Sequence, residues 1–294
     1  PRPTRSAERS GERDDPSVSA APPGRGLVGA DAPRPLIIPG GQRCGSTWLA
    51  SYLDSHPRVS LARPRRPEPK VFLDPNADAG TWWRRCSPAE PDGNDRTGLP
   101  APQWVLEKST SYLERPETIA RIERHLSDVR VVVVLRDPVE RAISNWRFSV
   151  ANGLEHRDVA VALDPERAVD ATDDATDDAT DDAGTVRPRR YLQRGRFAEL
   201  LQPWMVAFGH RLHVVVLEEL LADADEGTRL CRALGLSPEA SAPAGSVNAS
   251  LDDTPVPQSV RDALGEYYRP LQAPLEELLG RSLPWGPTPA GPPR

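Results

Sequence analysis

Leu36-Ile37-Ile38-Pro39-Gly40-Gly41-Gln42-Arg43-Cys44-Gly45-Ser46-Thr47 is the stretch that decides how this chain folds. Three consecutive apolar residues read as a short buried strand, and Ser46 to Ser55 as a helix closed by His56-Pro57. Between them the spacing is Gly-x4-Gly-x-[Ser/Thr], that of a phosphate-binding loop. Glycines let backbone N–H groups approach an anion, and the helix N-terminus adds unpaired donors and a positive dipole end. Ser46 stands where nucleoside triphosphatases carry the Lys that spans β- and γ-phosphates, and Arg43 places a cation three residues earlier. The loop therefore suits a 5′-phosphate-type anion better than a triphosphate with Mg²⁺.

Working outward, strand and helix patterns alternate. Trp104-Val105-Leu106 is a second apolar strand, Pro116 to Leu126 a helix, and Val129 to Leu135 a strand with four consecutive Val. Asp137-Pro138 opens the next helix, with Asp as N-cap and Pro at the first helical position. Tyr191 to Phe208 reads as an amphipathic helix, Leu212 to Leu217 as a strand, and Val260 to Leu283 as helical. Continuous apolar strands alternating with helices predict an α/β, P-loop-like three-layer fold, a central parallel sheet flanked by helices.

The 294 residues fit one domain over 35–286 with flanking tails. Residues 1–34 hold six Pro and only Val18, Leu27 and Val28 as larger apolar side chains. Such a segment buries too little surface to offset its ordering entropy, so 1–34 is expected to be a disordered tail, and 287–294 another. The formal charge of −6 is local. Asp170 and the six Asp of three tandem Thr-Asp-Asp-Ala units, Thr172 to Ala183, account for it, and without them the charge moves to +1. Residues 167–186 are expected to form a disordered acidic loop. The near-neutral remainder lacks the excess of a nucleic-acid binder or a polybasic membrane patch. The near-neutral charge gives no expectation of a nucleic-acid partner, and with no stretch of 18 apolar residues no membrane span is expected. Cys44, Cys86 and Cys231, at unrelated spacings, give neither a disulfide framework nor a zinc site, and a reducing, cytoplasmic compartment is expected. Two Lys among 37 basic residues, with abundant Ala, Pro, Gly and Arg, fit a GC-rich bacterial genome. Oligomeric state is left open.

Val131-Val132-Val133-Val134-Leu135-Arg136-Asp137-Pro138 places Arg136 at the C-terminal end of a strand, with Ser144 two turns into the following helix. Ligands of parallel sheets bind at strand C-terminal ends, so Arg136 and Ser144 are placed to clamp a second phosphate. Arg141 and Arg147 read as solvated helix-surface charges. These residues alone leave open a nucleotide-binding protein without turnover, or a P-loop kinase or nucleoside triphosphatase. Ser46 in the Lys position and a strand ending in Arg136 rather than an acidic Mg²⁺ ligand weigh against the second.

The two motifs together resemble the sulfotransferases that use 3′-phosphoadenosine 5′-phosphosulfate (PAPS). Gln42-Arg43-Cys44-Gly45-Ser46-Thr47-Trp48-Leu49 is similar to the family's 5′-phosphosulfate loop, and Leu135 to Ser144 to its 3′-phosphate motif. Glu68-Pro69-Lys70, Leu106-Glu107-Lys108-Ser109, Val247-Asn248 and Leu278 to Trp285 extend the likeness over about residues 35–286. It is nearest the branch of heparan-sulfate-type and bacterial carbohydrate or natural-product enzymes.

The resemblance implies transfer of a sulfuryl group from PAPS to a hydroxyl, or amine, of a glycan or small-molecule acceptor, leaving adenosine 3′,5′-bisphosphate. It implies a nucleotide site of Gly41, Gln42, Arg43, Cys44, Gly45, Ser46, Thr47, Trp48, Arg136 and Ser144, and a catalytic set of Glu68, Arg43 and Lys108. Glu68 matches the family's base. None of His56, His125, His156, His210 or His213 is placed for that role. Arg43 stands where the family has a Lys that neutralises the leaving phosphate, and it keeps the charge without being able to give up a proton. Trp48 is read either as an adenine contact or as a core residue. Arg63, Arg65, Arg66 and Lys70 read as a solvated loop face beside the acceptor side. No metal is expected.

Overall fold

The computed structural model describes residues 32–87, 100–166, 190–238, 240 and 254–286. The expected disordered segments through residue 31, at 167–186 and at 287–294, and the Val247-Asn248 similarity, lie outside them. Strands β1 (Arg34–Ile38), β2 (Val59–Leu61), β3 (Trp104–Lys108), β4 (Arg130–Leu135) and β5 (Leu212–Val216) form one parallel sheet in the order β2-β3-β1-β4-β5. Leu36, Ile37, Ile38 and Val131 to Val134 are fully buried, as strands covered on both faces require. β1 begins one residue inside the expected tail. Arg34 pairs with Trp104 across the ladder, and its guanidinium lies 4.0 Å from that ring's centroid. β2 carries no pattern legible in sequence, because three residues are too short to show one.

Helices α1 (Ser46–Asp54), α3 (Glu117–His125) and α4 (Pro138–Ala151) fall where the capping and periodicity place them. The Asp137 carboxylate accepts from the N–H groups of Val139 and Glu140 at 2.8 and 3.1 Å, the N-cap expected before Pro138. α2 (Ala79–Cys86), α5 (Val159–Ala162), α6 (Phe197–Phe208), α7 (Leu217–Ala222), α8 (Ala224–Ala233) and α9 (Gln258–Leu279) follow in chain order. The helix expected from Tyr191 starts only at Phe197. A 3₁₀ turn at Gln193–Gly195 and a non-helical Arg196 (φ −81°, ψ 63°) break it. Tyr191 and Leu192 turn instead into a second core with Ile143, Trp146, Leu264 and Tyr268, which seats α9 against α4.

Arg141 is not the solvated charge expected from its helix position. It is fully buried, donates to Asn145 Oδ1 at 3.2 Å and to the Tyr191 carbonyl, and so staples α4 to that second core. Arg147 is half-buried and donates to the Thr254 carbonyl at 2.8 Å. Arg194, also buried, donates to Glu114 at 2.8 Å and shares the Asn145 oxygen at 3.4 Å. Burial pushes the Arg194 pKa down, and Glu114 opposes that. Among the described residues, no helix is long and apolar enough to cross a membrane.

Candidate nucleotide-binding and catalytic site

Strand order fixes the site. β1 lies between β3 and β4, and Ile38 pairs with Lys108, so the loop after β1 emerges with the ends of β3 and β4 on either side. Its course is held by backbone bonds from Gly41 N–H to Val134 O (3.3 Å), Cys44 N–H to Gly41 O (3.2 Å) and Leu49 N–H to Gly45 O (3.0 Å). Gly45, the N-cap of α1, sits in the left-handed region at φ 88°. A Cβ there would come 2.5 Å from Leu217 Cδ1. Gly45→Ala is accordingly expected to lower stability by about 2 kcal/mol or more, from the backbone region and the overlap combined. Denaturant unfolding measures this, and an unchanged midpoint would mean the loop has another conformation.

On the β4 side three residues meet. Arg136, just past the end of β4, donates through Nη1 to the carbonyl of Arg43 at 3.2 Å. Arg43, itself at φ 64°, folds its side chain over the Phe148 ring (4.8 Å to the centroid) and donates from Nε to Ser144 Oγ at 3.2 Å. Burial and then the positive charge of Arg136 push the Arg43 pKa below its ordinary value. Ser46 and Cys44 are buried, and Thr47 is half-buried. Burial raises the Cys44 thiol to about 12, so it stays protonated. Trp48 is 9% exposed and stacks on Tyr52 at 5.4 Å, the core position of its two readings.

On the β3 side Glu68 and Lys108 form an ion pair, with side chains 15% and 11% exposed. Thr110 completes the grip on Glu68, its N–H donating to Oε2 at 2.9 Å and its hydroxyl lying 3.0 and 3.2 Å from the two oxygens. Arg63 and Arg65 bind the Asp54 carboxylate at 2.6 and 2.7 Å. A cleft of about 360 Å³ opens here, lined by Thr47, Leu61, Arg65, Arg66, Pro69 and Lys108 among others.

Beneath the pair lies a buried carboxylate that sequence reading passed over. Glu107, fully buried, accepts from Ser109 Oγ and Tyr112 OH at 2.7 Å and from Trp82 Nε1 at 2.5 Å. Ser109 Oγ in turn accepts from Lys70 N–H (2.9 Å), and Tyr112 OH from Phe72 N–H (2.7 Å). The segment carrying Glu68 is thus anchored to β3. Burial raises the Glu107 pKa, and the hydrogen bonds from Ser109, Tyr112 and Trp82 oppose it. Sequence alone offered one signal, an acidic residue inside an apolar strand. His56 is structural: buried, it accepts from Arg58 N–H at 3.0 Å and contacts Ser237. Among the described residues, no group of three His, Cys, Asp or Glu is placed to hold a metal ion.

Comparison with known proteins bears on the family and the fold. The family model described as "Sulfotransferase domain" matches residues 33–249. Human heparan sulfate glucosamine 3-O-sulfotransferase 3A1 is 35% identical over 136 residues, 44% of this chain and 30% of that protein. The mouse protein of the same name is 28% identical over 228 residues, covering 75% of this chain and 51% of its own length. The match thus spans about half or less of these curated relatives. A sulfotransferase crystal structure from Alicyclobacillus acidocaldarius superposes with a TM-score of 0.62 at 23% identity, covering 86% of this chain and 98% of that one, which supports the fold. By the span of the family model, the chain belongs to the sulfotransferase family.

Proposed function

We propose that this protein transfers a sulfuryl group from PAPS to a hydroxyl, or amine, of a carbohydrate or natural-product acceptor. The observation that carries this is the placement of two unlike charge clusters on opposite sides of one anion-binding loop. The Arg43–Arg136–Ser144 cluster suits a nucleotide phosphate, and the Glu68–Lys108 pair suits a proton acceptor beside a developing negative charge.

In this reading the backbone N–H groups of residues 41–47 and the start of α1 bind the 5′ group. The acceptor occupies the cleft lined by Arg65, Arg66 and Lys108. Its oxygen forms a bond to sulfur as the bond from sulfur to the 5′-phosphate oxygen breaks. The acceptor proton passes to the Glu68 carboxylate, and the electron pair of the broken bond stays on the phosphate, next to the Lys108 ammonium. Fixed positive charge and alignment do most of the work, as in phosphoryl transfer. The paired ion is no obstacle: Lys108 and Thr110 hold the Glu68 carboxylate in place until the reacting oxygen arrives. The buried free thiols of Cys44, Cys86 and Cys231 support a reducing, cytoplasmic setting.

The test is turnover. Incubated with PAPS and a panel of hydroxylated sugars and phenols, the protein is expected to release adenosine 3′,5′-bisphosphate in step with sulfation of at least one acceptor. Nucleotide binding with no transfer to any acceptor class would favour a binding protein instead.

A further inference from the structure

Resting on the PAPS reading above, in which Glu68 takes the acceptor proton, we infer that the buried Glu107 is a positioning residue for Glu68. It fixes the backbone at 70–72, and so the stance of the carboxylate just upstream. Alternate residues at the end of β3 divide the task. Lys108 and Thr110 bind the Glu68 carboxylate itself. Glu107 and Ser109 bind the chain that follows it: Lys70 N–H donates to Ser109 Oγ at 2.9 Å, and Val71 N–H to Glu107 Oε1 at 3.4 Å. Tyr112 adds a third tie, its hydroxyl accepting from Phe72 N–H at 2.7 Å.

The polarity of these bonds makes Glu107 their centre. Trp82 Nε1 and Val71 N–H can only donate, and the hydroxyls of Ser109 and Tyr112 already accept from the backbone. Each hydroxyl directs its one proton to Glu107 at 2.7 Å, which leaves a lone pair for Lys70 or Phe72. A carboxylate accepts from all four donors at once. Lys70 needs such a hold. It enters a 3₁₀ turn (Val71–Leu73) at φ 46° and ψ 38°, a left-handed conformation that a residue with a Cβ disfavours. A fully buried carboxylate also carries a desolvation cost that an apolar residue of similar shape avoids. What it secures in return is one arrangement of its donors, and through them one path for the chain leaving Glu68.

The experiment measures kcat and adenosine 3′,5′-bisphosphate affinity for Glu107→Gln, alone and in the Glu68→Gln background. The amide keeps the shape but turns an N–H₂ group either to Trp82 Nε1 or to the two hydroxyls. Alone, Glu107→Gln is expected to lower kcat about tenfold and to keep bisphosphate affinity within about twofold of wild type. In the Glu68→Gln background, where no base is left to misplace, the further loss should be less than about twofold. An equal fractional loss in both backgrounds, bisphosphate binding lost in step with turnover, or an unchanged kcat would overturn the inference. Should Glu107→Gln not fold, Ser109→Ala and Tyr112→Phe each cut one tie and carry the same comparison. A loss seen only where Glu68 is present supports the inference, and two silent substitutions overturn it. Failure of the underlying reading shows separately: a wild type that sulfates no acceptor removes the PAPS reading, and a fully active Glu68→Gln removes the base.

Discussion

Glu68→Gln is expected to bind adenosine 3′,5′-bisphosphate about as well as the wild type while turning over at least ~10²-fold more slowly, the usual scale for losing a general base. Glu68 is well supported for the role by its surroundings. Lys108 and Thr110 together engage both carboxylate oxygens, and the Glu107 network fixes the backbone at Lys70 and Phe72. The amide keeps the shape and removes the ability to take a proton. It also places an N–H₂ group among donors that a carboxylate satisfied, so a change in acceptor KM is expected beside the fall in kcat. Arg43, Arg136 and Ser144, proposed to meet the nucleotide, lie on the other side of the loop, so product binding serves as the control for folding. Initial rates with saturating PAPS measure the effect. Turnover within a fewfold of wild type would remove Glu68 from the chemistry and reopen the search for a base.

The contrast between what the sequence disclosed and what it concealed follows from the range of the interactions. Leu36 to Thr47 announced strand, loop and helix because all three signals are local: an apolar run, glycine spacing and a helix start. Arg136 was legible for the same reason, since its place after four Val sets it at a strand end whatever the rest of the chain does. Arg141 was misread because its partners, Asn145 apart, come from Tyr191 on another element, and a charged residue on a helix looks solvated until the second core is known. Thr110 and Glu107 were silent for a related reason. Their meaning depends on Glu68, Lys70, Phe72 and Trp82, all 25 to 42 residues away in sequence. Arg43 is the sharpest case. Its loop position was plain, but the direction of its side chain was set by Ser144 and Phe148 on α4.

Arg136→Ala is expected to erase most of the preference for a 3′-phosphate and leave binding of the 5′-monophosphate almost intact. In the proposed function the loop from Gly40 to Thr47 holds the 5′ group through backbone N–H donors, while Arg136 stands just past the end of β4, bonded to the Arg43 carbonyl. A charge-assisted Arg–phosphate contact contributes about 1.5–3 kcal/mol, so the wild type should bind adenosine 3′,5′-bisphosphate about ten- to a hundredfold tighter than the monophosphate. Arg136 also donates to the Arg43 carbonyl, an acceptor and not one of the N–H groups proposed to hold the 5′ group. ATP is expected to compete weakly with or without Mg²⁺, because Ser46 replaces the Lys that would span its outer phosphates. Calorimetric titration of the three nucleotides distinguishes these cases. Tight, Mg²⁺-dependent ATP binding by a protein indifferent to the 3′-phosphate would sink the PAPS reading, because in that protein the Arg136–Ser144–Arg43 cluster would have no anion to hold.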